Sequence, residues 1–298
     1  MLVRLAPVIF VLIWSTGWIM ARTAAPYADP LTFLAVRYSL AAIALLVICL
    51  AVRAAWPKTG IQWAHAVFSG VLLHAVYLGG VWWAIDAGVP TALSGLIAAL
   101  QPLLTAISAP FVVGERLTRA QWAGIALGFV GLLIAIVPRR AGLQWSQLGA
   151  ASVPLIVNAV AMLSVTAGTI YQKRFLQSGD LRVTAMLQYI GAFAFTVPIA
   201  LLIEDLDIVW NLDTVTAMAW SVFGLSIGAI MLFLYLIRRG QVSRAASLIY
   251  LVPPAVAIEA FLLFGERLTV PMMTGTVIVV LGVYLIYRPQ DADPVAGR

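Results

Sequence analysis

Apolar residues in this chain run in long blocks divided by short polar punctuation. Ten blocks can be drawn, roughly 4–23, 30–53, 62–86, 90–113, 119–138, 147–174, 182–203, 213–237, 242–264 and 270–288. Each is close to the about 20 residues that a helix needs to cross a bilayer core. Pro30, Pro57, Pro90, Pro138 and Pro289 stand at block ends, where helices start and stop. Block interiors are rich in Gly and Ala and show no apolar–polar alternation, which predicts packed helices rather than a β-barrel. The polar gaps are too short to hold a soluble domain. The expected fold class is all-α integral membrane, with ten transmembrane helices.

Composition agrees. With 63% hydrophobic and 10% charged residues, and a mean hydropathy of +1.02, the chain has too little polar surface to cover a water-soluble domain of this size. The one cysteine, Cys49, lies inside an apolar block, which leaves no disulfide framework and no thiolate metal site within one chain. No metal or cofactor is expected. The net charge of +6 is carried by basic residues set singly or in small groups between blocks, a topology signal rather than a nucleic-acid surface.

Their placement tests the ten-block reading. With the N-terminus, the even-numbered loops and the C-terminus on one side, that side holds thirteen cations. They are Arg4, Arg53, Lys58, Arg116, Arg119, Lys173, Arg174, Arg182, Arg238, Arg239, Arg244, Arg288 and Arg298. The other side holds four, Arg22, Arg139, Arg140 and Arg267, and Arg37 lies within a block. The positive-inside rule then predicts cytoplasmic N- and C-termini. The first block is expected to span the membrane rather than to be a cleaved signal peptide, because its loss would break a duplication that begins within it.

That duplication is marked by the letters GERLT, at Gly114–Thr118 and again at Gly265–Thr269, 151 residues apart. At the same offset Gly17 matches Gly168, Asp29 matches Asp180, Tyr38 matches Tyr189, Pro102 matches Pro253, Gly124 matches Gly275 and Gly131 matches Gly282. The chain divides into repeats at 1–140 and 141–298, each with five crossings. Five is odd, so the second copy enters the membrane from the opposite face. The two are inverted repeats about an axis in the membrane plane, the architecture on which secondary transporters rock around a central site.

Ten helices in two five-helix halves, a GERLT motif closing the fourth helix of each, and Phe33 and Arg37 after Pro30 in the second helix resemble the EamA-type family of the drug/metabolite transporter superfamily. The resemblance covers nearly the whole chain. It implies a basket-like bundle around a central cavity, and export of amino acids and related metabolites across a bacterial inner membrane by one chain. Glu259 departs from the internal symmetry, since the first half has Ser108 there. Multidrug export is the alternative within transport. An integral-membrane enzyme or a scaffold subunit is the alternative outside it. Against an enzyme stand the two histidines, the lone cysteine and the lack of metal-ligand or phosphate-loop spacing.

Interrupted helices at matching positions of the halves point to the substrate site. Pro102 falls near the middle of block four and Pro253 near the middle of block nine. Each should loosen the carbonyl four residues earlier, Ala98 in the first case and Ile249 in the second, with Tyr250 loosened by Pro254. Candidate substrate contacts at this depth are Trp14, Ser15 and Trp18, His74 with Tyr77 on the same face, Gln101, Asn158 and Tyr250. Aromatic faces beside a few polar groups suit small amphipathic molecules, aromatic amino acids included. Arg37 and Glu259 lie about 10 Å and about 8 Å from the same membrane surface. Matched depth and opposite charge predict a gate ion pair. Protons are a candidate coupling partner, with His74 the titratable group at the bilayer centre. The GERLT loops read as structural: Gly ends one helix and Thr starts the next.

Overall fold

Helices are the regular elements of the computed structural model, which describes residues 2–112, 117–136, 145–229, 232 and 252–287; one isolated bridge joins Ala28 to Ile208. The first half holds α1 (Leu2–Ala24), α2 (Pro30–Ala51), α3 (Gly60–Asp86), α4 in two pieces (Thr91–Ile97 and Leu100–Val112) and α5 (Arg119–Ile136). The second holds α6 (Trp145–Phe175), α7 (Leu181–Ile203), α8 (Leu212–Gly228), α9 (Val252–Phe264) and α10 (Val270–Tyr287). These ten match the ten apolar blocks. Six stretches, in α2 through α7, are long and apolar enough to cross a membrane, and the other four helices give shorter apolar stretches, Ile9–Ala24, Leu212–Gly228, Val252–Phe264 and Val270–Leu285.

Polarity is distributed as a bilayer requires. Leu202, Phe223, Leu262 and Val270 face outward, where lipid accepts them. Ser15, Ser69, Ser94, Asn158, Ser221 and Ser226 are fully buried.

Contacts between equivalent residues reveal the symmetry. A Cβ added at Gly282 would come within 2.6 Å of the Gly124 carbonyl, and one added at Gly131 within 2.7 Å of the Gly275 carbonyl. Positions 124 and 131 become 275 and 282 at the repeat offset, so α5 meets its own counterpart α10, antiparallel and backbone to backbone. Small residues permit that approach, and it occurs within one chain. Tyr38 and Tyr189, also equivalent, stack on each other between α2 and α7 with ring centroids 5.9 Å apart. A two-fold axis that brings equivalent helices together antiparallel must lie across them, in the membrane plane.

The second GERLT shows what its letters do. Gly265 takes φ +64°, the left-handed conformation that ends α9, and its amide reaches back to the Phe261 carbonyl. The Glu266 carboxylate leaves its own loop and accepts the amides of Thr91 and Ala92, at 3.0 and 3.1 Å, which caps α4 of the other half. Leu268 packs on the core, and Thr269 accepts the Met272 amide at the start of α10. In the first copy Leu117 packs likewise and Thr118 forms a reciprocal cap with Gln121 ahead of α5; Gly114–Arg116 lie outside the described residues. Glu204 repeats the cross-half device, accepting the Leu31 and Thr32 amides at 2.8 Å to cap α2. Glu266→Ala therefore strips two helix-end amides of a charged acceptor, at a cost of about 1–3 kcal/mol. The variant is expected to unfold several degrees below the parent in a detergent thermal-shift measurement, whereas Arg267→Ala is expected to match the parent.

Two wide π-helical segments interrupt the bundle, Val71–Val76 in α3 and Trp220–Gly228 in α8. The first maps onto 222–227, inside the second, at the repeat offset. Wide turns leave carbonyls poorly served by their own helix. In α3 the neighbours supply hydroxyls: Ser164 donates to the Leu72 carbonyl and Tyr38 to the His74 carbonyl, each at 2.9 Å. Trp82, which its position near the end of α3 would assign equally well to a lipid-interface belt, is instead buried and stacked on Phe33 at 4.8 Å.

Candidate functional site

Helix α4 breaks at Ala98–Ala99. The Ala99 and Gln101 amides bond three residues back, to Leu96 and Ala98, and Pro102 has no amide to continue the ladder. The Ala98 carbonyl expected to be loosened is thus taken up by Gln101 in a tighter turn. In α9 Pro253 and Pro254 lie within the described helix Val252–Phe264, and neither has an amide to bond four residues back. Ile249 and Tyr250 lie outside the described residues.

Between these two elements opens a cavity with about 450 Å³ of space between atoms, part of it open to the outside. Trp14 and Trp18 line it from α1, Tyr77 from α3, Ala98, Ala99, Gln101 and Pro102 from α4, Val252 and Pro253 from α9, and Val279, Val280 and Val283 from α10. Six residues singled out in the sequence meet here: Trp14, Trp18, Tyr77, Gln101, Pro102 and Pro253. Both halves contribute, and both proline positions face the same space.

Three other candidates stand behind this wall. Asn158 is fully buried and donates to the Ser94 hydroxyl at 2.7 Å, and Ser94 in turn accepts the Trp18 indole N–H at 3.1 Å. Asn158 is thus connected to the cavity wall through Ser94 and Trp18. Its own Oδ1 has no hydrogen-bond partner among the described residues. Ser15 is fully buried and donates to Glu259 at 2.7 Å. His74 is not among the lining residues, although Tyr77, three residues on, is. The wide turn between them breaks the spacing that would put both on one face, and His74 stacks on Tyr189 with centroids 4.5 Å apart.

The expected ion pair is not formed in this conformation. Arg37 directs its Nε and Nη2 to the Ser226 hydroxyl, at 3.4 and 3.3 Å, and Glu259 keeps the Ser15 contact, with its second oxygen buried and without a partner among the described residues. The ion pair within 4 Å recorded among the described residues is Arg182–Asp180, at a helix end. There the Arg182 side chain holds the Asp180 carboxyl below its usual range. Matched depth alone did not decide the pairing of Arg37 and Glu259, because each meets a buried serine of the opposite half. Sequence reasoning also passed over Ser94, Ser226 and the α10 valines, none of which carries a chemical signature. No group of three or more metal-ligating side chains occurs among the described residues.

The model of the EamA-like transporter family matches residues 3–137 and again 153–288, one copy in each half. The chain belongs to the EamA-like transporter family. It is a multi-pass membrane transporter of small metabolites and not an enzyme. Among EamA-like relatives, a protein of Salmonella typhimurium named a probable amino-acid metabolite efflux pump is 25% identical over 284 residues, 92% of this chain and 91% of that one. Its Escherichia coli counterpart of the same name is also 25% identical over the same shares. An Escherichia coli protein named an uncharacterized inner membrane transporter, YedA, is 25% identical over 95% of this chain and 92% of its own. One solved crystal structure superposes with a TM-score of 0.66 at 19% identity, over 96% of each chain, which speaks to the fold alone.

Proposed function

We propose that this transporter exports amino acids, aromatic ones among them, and related metabolites by alternating access of the cavity between its two halves. The observation that carries the reading is the lining: two indoles and a phenol share one cavity with Gln101, whose side-chain amide has no partner among the described residues. Aromatic faces with a few polar groups are what small-molecule sites present. Indole and phenol rings offer flat apolar faces to a ring or alkyl side chain, and their electron-rich faces attract an ammonium group. Gln101 supplies both a donor and an acceptor. The relatives named amino-acid metabolite efflux pumps support the same substrate class.

Rocking one half against the other would expose this space to each side in turn, as the inverted repeat allows. The cation distribution favours cytoplasmic termini, and the relative named an inner membrane transporter favours the same compartment. The test is counterflow in liposomes holding only this protein, loaded with unlabelled tryptophan and given labelled tryptophan outside. Accumulation that exceeds protein-free liposomes and is blocked by a panel of unlabelled amino acids is the expected result. Absence of exchange for every amino acid, together with exchange of a lipophilic drug cation, would replace this reading with multidrug export.

A further inference from the structure

Arg37 is a guanidinium 4% exposed at bilayer depth, and the described residues give it no counter-charge. Nine of the twelve carboxylate side chains lie among the described residues, and none is within ion-pair distance of it. The other three are Glu115, which precedes α5, and Asp291 and Asp293, which follow α10 in the sequence. A buried membrane charge without a partner is unusual unless something else supplies one.

The geometry of what Arg37 does touch is informative. Nε–H and Nη2–H form the edge of the guanidinium that receives a carboxylate through two parallel hydrogen bonds. Here both point at a single atom, Ser226 Oγ, at 3.4 and 3.3 Å, distances long for a charged donor. The Tyr189 hydroxyl stands beside both Arg37 and Ser226, so neutral oxygens occupy a fork that fits two charged ones. Around it stand Tyr38, His74, Tyr77 and Tyr189, all close enough to feel its charge. Of these, Tyr77 also lines the cavity. Ser226 and His74 sit in the two symmetry-related π segments, so both walls beside Arg37 are wide turns rather than regular helix.

We infer that Arg37 is the anion anchor of the transported substrate, taking its carboxylate in a bidentate grip beyond Tyr77. The inference rests on the proposed transport of amino acids and narrows it: a substrate needs a carboxylate, and a cation without one is a poor substrate. Arg37 then acts in substrate recognition rather than as a gate partner of Glu259.

Competition against labelled tryptophan counterflow tests this with three ligands of one ring system: tryptophan, indole-3-propionate, which keeps the carboxylate, and tryptophanamide, which keeps only the ammonium. The parent is expected to be inhibited by the first two and, about tenfold or more less effectively, by the amide. Arg37→Gln is expected to lose that preference, and Arg37→Lys to keep part of it, since the charge remains and the fork does not. A merely structural arginine would lower all exchange equally and leave the preference intact. Equal competition by acid and amide in the parent would overturn the inference while leaving transport standing, and needs no variant to fold. An unchanged preference in Arg37→Gln would overturn it too. A parent that exchanges no amino acid would instead overturn the transport reading itself, and the anchor with it.

Discussion

Gly282→Leu is expected to leave little monodisperse protein in detergent. The α5–α10 seam is built from backbone against backbone: a Cβ at Gly282 would lie 2.6 Å from the Gly124 oxygen and 2.7 Å from the Gly128 nitrogen. Main-chain atoms in the middle of a helix cannot turn aside as a side chain can. The helices must separate, and the contact they lose joins the last helix of one half to the last of the other. Overpacking of a filled interior costs about 1–3 kcal/mol even where side chains yield, and here the obstacle is backbone on both sides. A total stability of about 5–15 kcal/mol leaves small margin for that. Gly17 serves as the control. It too is matched across the repeat, but a Cβ there meets only the Leu225 side chain, at 3.9 Å. Gly17→Ala should elute from gel filtration like the parent, and Gly282→Leu as aggregate.

Ala98→Trp is expected to stop transport without unfolding the protein. Ala98 is half-buried at the break in α4 and lines the cavity opposite Trp14 and Trp18. Its neighbour Ala99 bonds to Leu96 and is itself buried, so the two positions differ in what a larger side chain meets. An indole at 98 occupies the space where a ligand would lie, and a filled pocket cannot enclose a substrate. Counterflow below roughly a tenth of the parent rate, with an unchanged gel-filtration profile, is the expected outcome. Parental transport by a folded Ala98→Trp protein would mean that substrate passes elsewhere.

Much of the architecture could be read from the chain because span length and an internal repeat each leave a periodic or countable trace. The identities Gly124/Gly275 and Gly131/Gly282 turn out to be contacts across the symmetry axis, as is Tyr38/Tyr189. The cavity was partly legible too, since prolines and aromatic side chains are conspicuous in an aliphatic background. What escaped was orientation. Hydropathy reports that a residue is in the membrane and not which way it faces, so Ser15 and Asn158 read as lining when they lie behind it. The π segments have no proline to announce them, and the one in α3 parts His74 from Tyr77. Valines at 279, 280 and 283 form a cavity wall with nothing in their chemistry to distinguish them from lipid-facing valines.

The proposed transport needs one cavity, shared by the two halves, that opens to each side of the membrane in turn. Thiol labelling measures it directly, since the chain's single cysteine, Cys49, is buried and can be replaced by alanine. Gln101→Cys in that background places one thiol on the cavity wall. A membrane-impermeant maleimide is then applied to right-side-out and to inside-out vesicles. Modification from both faces, slowed by tryptophan in each case, is the predicted result. Modification from one face only, with or without substrate, would contradict it.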